Sequence, residues 1–155
     1  MTTTQRKATM QVFVQDSQFH SVASTTDKAA HTHYLRIALQ VVGCIFIVGI
    51  YGLTIIWPSG WTWQPGHSHY LQMILGVYAT LGVFLLIASR DPLKHLSLIW
   101  FTVWSSVVHA GTMTAQALGN PEHTGHLWGD IPALLIVAAV LAILTPRGSA
   151  AASQN

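Results

Sequence analysis

Nine histidines stand against seven lysines and arginines in this 155-residue chain, of which only 8% is charged. Imidazole suits zinc, copper, iron and nickel, and a thioether beside it favours Cu(I). The residues to place are therefore the histidines and the methionines close to them. His109 and Met113 lie four apart, one turn of a helix. His69 and Met73 repeat that spacing, with His67 two residues earlier. Further along, Glu122, His126 and Asp130 recur at i, i+4 and i+8, one face of any helix that forms there. Gly125 and Gly129 work against such a helix. Cys44 is the lone cysteine, so no intrachain disulfide exists.

These spacings divide into two candidate metal sets. His109, Met113 and Met73 form a buried one, and His69, His67, His126 and Glu122 an outer one. Their ligand types suit copper or zinc, and His109 offers an axial ligand for a haem. Each residue also has a purely structural role open to it. His109 can bond a Ser, Thr or Gln of a neighbouring helix, and Asp130 can cap one. Glu122, His67 and His123 can be solvated. The chain holds no HExxH, no paired CxxC, no phosphate loop and no nucleophile elbow. No catalytic residue is assigned.

The elements that must position these groups are transmembrane helices. Residues AVILMFWYC make up 51% of the chain, and a span needs ~20 predominantly apolar residues to cross ~30 Å of hydrocarbon. Four stretches qualify, at about 34–57, 70–89, 92–118 and 128–145. Only helices satisfy their own backbone in lipid without a closed barrel, and no strand pattern is present. Short connections favour antiparallel neighbours, so the expected fold is all-α, a four-helix up-down-up-down transmembrane bundle. Residues 1–33 read as a mobile cytoplasmic tail, 34–147 as the transmembrane domain and 148–155 as a disordered C-terminal tail.

Charge sets the orientation. Arg6, Lys7, Lys28, Arg36, Arg90, Lys94 and Arg147 all fall on one side of this four-span arrangement. The connections 58–69 and 119–130 contain no Lys or Arg. Positive residues mark the cytoplasmic side, so both termini are expected there, in an inner (plasma) membrane protein. Trp57, Trp61, Trp63 and Trp128 then sit at the outer boundary, as an aromatic belt would.

Helical spacing predicts three polar or small-residue stripes turned into the bundle. The first helix carries Gln40, Gly43, Cys44, Ile47, Tyr51 and Thr54, and the second His69, Gln72, Met73, Gly76 and Thr80. The third carries Thr102, Ser105, Ser106, His109, Met113, Gln116 and Ala117. His109 falls within one or two turns of the midplane, where an ionisable residue suggests function.

The run Ala88-Ser89-Arg90-Asp91-Pro92-Leu93-Lys94-His95-Leu96-Ser97-Leu98-Ile99-Trp100 continues through Ser105-Ser106-Val107-Val108-His109-Ala110. Together with Gly125-His126-Leu127 to Pro146-Arg147, it resembles a family of small bacterial four-span membrane proteins of unknown function. The resemblance covers roughly the last two-thirds of the chain. It implies the architecture above and supplies no activity.

Two functions are consistent with these residues. The first is a non-catalytic accessory or assembly subunit that contacts lipid and a larger membrane complex or another copy of itself. The alternative is a metal- or haem-binding protein with its His/Met site in the outer half of the bundle. A formal charge of +2 spread along one surface argues against nucleic acid as a partner.

Overall fold

A computed structural model describes residues 29–63 and 68–146. The expected N-terminal tail up to residue 28, His67 and the C-terminal tail lie outside the described residues. The chain divides into two units between Tyr34 and Leu35. Of the first unit, residues 29–34 are described, with the His33 and Tyr34 rings edge-on at 6.1 Å. The second unit holds the bundle.

Every regular element among the described residues is helical. Helix α1 runs Ala29–Ile56, α2 Pro58–Trp61, α3 His69–Ala88, α4 Leu96–Gly119 and α5 Asp130–Leu144. Two 3-10 turns, Pro92–His95 and Pro121–Leu127, lead into α4 and α5. Four of these helical stretches are long and apolar enough to cross a membrane, which is the architecture of a multi-pass membrane protein in contact with lipid.

Local chemistry sets the boundaries. Pro58 cannot continue α1 and instead opens α2 at its first position. The Ser68 hydroxyl accepts from the Leu71 amide at 3.3 Å and caps α3. Asp91 makes no cap bond at the start of the third span. Its carboxylate instead meets the Lys94 ammonium at 2.8 Å. That bond, helped by Arg36 and His95, holds the Asp91 carboxyl below its usual range. Within α1, the turn Ile45–Gly49 is π-helical, and its Phe46 packs edge-on against Tyr78 at 4.9 Å.

Packing follows volume, not polarity. At the end of the bundle carrying Arg36, Arg90 and Lys94, all four long helices share one core: Leu35, Leu39, Val42 and Phe46 from α1, Leu85 and Ala88 from α3, Ile99 and Val103 from α4, and Ala138 and Leu141 from α5. A smaller cluster, Ala110, Met113, Ala117, Ile131 and Leu134, joins α4 to α5 towards the other end. Helices α1 and α3 meet backbone to backbone at Gly43 and Gly82. A Cβ on Gly82 would lie 2.6 Å from the Gly43 carbonyl oxygen, and one on Gly43 would lie 2.9 Å from that of Gly82.

The predicted stripe on α3 therefore does not face the core, and that on α1 does so only in part, with Gly43 buried and Ile47 and Thr54 half-buried. Gln40, Cys44 and Tyr51 on α1 are exposed, and so are His69, Gln72, Met73, Gly76 and Thr80 on α3. Lipid is as apolar as leucine, so nothing drives an apolar face inward, and close approach of small residues chooses the interface instead. On α4 the prediction holds for Thr102, Ser106, Met113 and Ala117, which are buried, while Ser105 and His109 are half-buried and Gln116 is exposed.

Candidate functional site

At the end opposite the four-helix core, α2 and the 3-10 turn Pro121–Leu127 press together. Gly125 sits against the Ser59 carbonyl and Gly129 against the Gly60 carbonyl, with no room for a Cβ at either position. This close approach sets Thr62 and Trp63 over His126. The indole of Trp63 stacks on the imidazole at a centroid distance of 4.0 Å and an interplanar angle of 16°. His123 leans on the same indole at 4.7 Å.

His126 is 1% exposed and Asp130 7% exposed. Their spacing of four residues brings Nδ1 within 2.8 Å of Oδ2, although the intervening backbone is a 3-10 turn leading into a helix start. Nε2 lies 3.3 Å from the Thr62 carbonyl. A carbonyl only accepts, so Nε2 must carry a hydrogen. The short Nδ1···Oδ2 contact requires a second proton between two groups that would otherwise both be acceptors. Whichever atom holds that proton, the pair as a unit is electrically neutral. A neutral unit is what the interior of a membrane protein tolerates.

One atom of the pair is left over. The Ile131 amide contributes a backbone hydrogen bond to the Asp130 carboxyl, but Oδ1 is buried with no partner of full hydrogen-bond geometry. The indole Nε1 of Trp61 is likewise buried without a partner. Both residues line a small cavity of about 70 Å³, with Tyr78 and His109 in its wall. His109 packs edge-on against Tyr78 at 5.8 Å.

The small cavity shares Trp63, Leu71, Ile74, His109 and Met113 with a larger groove of about 720 Å³ between α3 and α4. Ser105, Thr112, Gln116 and His123 add polar groups to that groove, and Tyr70 and Val108 add apolar ones. The groove exists because α3 packs on α1 and α4 packs on α5, leaving α3 and α4 apart at the end away from the four-helix core.

The residues expected to bind a metal are thus dispersed. His109 and Met113 line the groove and the cavity together. Met73, 67% exposed, lines a separate shallow depression with Gly76, Val77 and Thr80. His69 is exposed at the head of α3, and Glu122 is exposed, its amide donating to the Asn120 side chain at 3.1 Å. His126 is committed to Asp130 and Thr62. Among the described residues no three His, Cys, Asp or Glu side chains gather where they could hold a metal ion. The copper, zinc or haem alternative rests there on His109 and Met113.

The sequence did not single out Tyr78, Trp61 or Trp63 for the site. Trp61 and Trp63 read as belt residues, and Asp130 as a helix cap. The signal for Asp130 was its distance of four residues from His126. Gly129 takes the cap position, and the carboxylate turns back to the imidazole.

No curated protein and no solved structure is detectably similar to the chain. A family model does match, over residues 29–154, a longer stretch than the resemblance drawn from the third and fourth spans. The chain belongs to DUF6632, a family of unknown function.

Proposed function

We propose that the protein is a non-catalytic accessory protein of the plasma membrane that works by holding an amphiphilic ligand in the groove between α3 and α4. The groove carries this reading. Its volume of about 720 Å³ lies within the ~300–1,000 Å³ common to ligand sites. One wall offers the hydroxyl, imidazole and amide groups of Ser105, His109, Thr112 and Gln116, while Leu71, Ile74 and Val108 are apolar. Helices serving only to hold one another would close such a gap. The Ser105 and Thr112 hydroxyls give their hydrogens to the Thr102 and Val108 carbonyls, and their lone pairs, with the His109 and Gln116 side chains, gain from an occupant that bonds them. An amphiphile entering from the bilayer meets both requirements, with its chain along the apolar wall and its head against the polar one.

The reading is tested in dioleoylphosphatidylcholine nanodiscs with diazirine-bearing C16 probes that carry a hydroxyl, a methyl ether or a phosphate head. At least one probe should crosslink to groove residues of α3 and α4. Ser105→Trp should reduce that labelling at least tenfold by filling the groove, and so should Thr112→Trp at an exposed position. Absence of groove labelling by all three probes, or labelling unchanged in both variants, would sink the proposal.

The orientation belongs to the same proposal. Arg36, Arg90 and Lys94 gather at one end of the bundle, which supports placing that end and both termini in the cytoplasm. With the exposed Cys44 replaced by Ser, a membrane-impermeant thiol reagent on intact cells should label single cysteines at Ser59 and Asn120 and spare those at Thr3 and Ser153. The opposite pattern would reverse the topology.

A further inference from the structure

The cavity behind the groove narrows the chemistry of the ligand, given the groove reading on which this step rests. We infer that the ligand head is a neutral hydroxyl, seated between Asp130 and Trp61 with its chain lying in the groove. The two unpartnered atoms are of opposite kinds. Oδ1 of Asp130 can only accept, because the proton of the His126–Asp130 pair lies on the Oδ2 side. Nε1 of Trp61 can only donate. A hydroxyl does both at once, giving its hydrogen to the carboxyl oxygen and taking the indole hydrogen on a lone pair.

Other heads fail on one count or the other. An ether oxygen satisfies Trp61 and leaves Asp130 unpaired. An ammonium satisfies Asp130 and leaves Trp61 unpaired. A phosphate presents more acceptors to an acceptor, and its charge loses hydration in a cavity walled by Leu71, Leu75 and Leu134. Size agrees, since about 70 Å³ admits a hydroxymethyl-sized group and not a bulky head. Position agrees as well. His109 and Met113 border both spaces, so the groove adjoins the cavity on the side where the chain would lie.

The test is competition against the diazirine-bearing hexadecanol probe in the same nanodiscs, using unlabelled hexadecanol, hexadecyl methyl ether, hexadecyl phosphate and hexadecylamine. Hexadecanol should compete at least tenfold more strongly than each of the other three. Replacing Trp61 with 3-benzothienylalanine, in which sulfur stands for the indole N–H, keeps the bicyclic ring and removes the donor, so it should weaken hexadecanol about fivefold, the size of one lost hydrogen bond, and leave the amine unchanged. Equal competition by all four heads, with crosslinks still in the groove, would overturn the hydroxyl inference while the groove proposal stands; a cavity filled only by water gives that result. Preference for the phosphate or the amine would also overturn it. Loss of groove crosslinking altogether would remove both proposals.

Discussion

Truncating Asp130 to alanine is expected to destabilise the folded bundle by about 3–5 kcal/mol, the usual consequence of removing one member of a buried, hydrogen-bonded ionisable pair. The variant leaves His126 Nδ1 buried, stacked under Trp63 and without its partner. The same loss is expected for His126→Ala, which strands Asp130 and also releases the Thr62 carbonyl. Replacing both at once with alanine should cost less than the sum of the single changes, because neither member of the pair is then stranded by loss of the other. Unfolding in mixed micelles, followed for the two single variants and the double, measures the coupling directly. Additive losses would show that the pair does not act as a unit.

The second large effect concerns the seam between α1 and α3. Gly82→Leu is expected to lower stability by about 3 kcal/mol or more, at the upper end of overpacking penalties. The obstacle is the Gly43 backbone carbonyl, 2.6 Å from the added Cβ, and not the end of a flexible side chain. Gly76→Leu provides the control on the same helix. Nothing lies within 4 Å of a Cβ built there, so the change should stay within about 0.5 kcal/mol. Thermal unfolding of both variants in nanodiscs separates them. Equal tolerance would mean that α1 and α3 do not meet at these glycines.

That pair of glycines also shows where reading by pattern reaches its limit. Gly76 lies on a stripe predicted to face inward and is exposed, whereas Gly82, which no predicted stripe includes, is buried. In water, polarity separates inside from outside because apolar surface is driven from solvent. Here the outside is hydrocarbon, so exposing Val77 or Phe84 costs nothing comparable, and the exposed Gln72 and Thr80 do not identify the core face. The face that packs is the one on which two backbones can come closest, and that depends on a partner helix the local sequence does not name.

The site divides along the same line. His109 with Met113 was legible as a feature of one helix, because a spacing of four residues places both on one face whatever surrounds them. Their cavity is shared with Tyr78 of α3 and with Trp61 and Trp63 of the α1–α3 connection, residues 31 to 48 positions earlier in the chain. No spacing rule spans such separations. Met73 illustrates the converse: it shares the four-residue spacing with His69, but α3 packs on α1 through Gly82 and leaves Met73 in a depression apart from the groove of His109.

What the sequence by itself determined are properties that depend on one segment at a time. These are four helices of spanning length, the end of the first at Pro58, the sidedness of the cationic residues and the i, i+4 pairs. Each follows from local energetics, namely backbone hydrogen bonding in lipid, proline geometry and helical periodicity. Tertiary structure alone decided which faces meet, where the α3–α4 gap opens, and that Asp130 bonds an imidazole while one of its oxygens stays unpartnered beside Trp61. Those outcomes come from steric fit between distant segments, where a single methylene at Gly82, Gly125 or Gly129 is enough to forbid the arrangement.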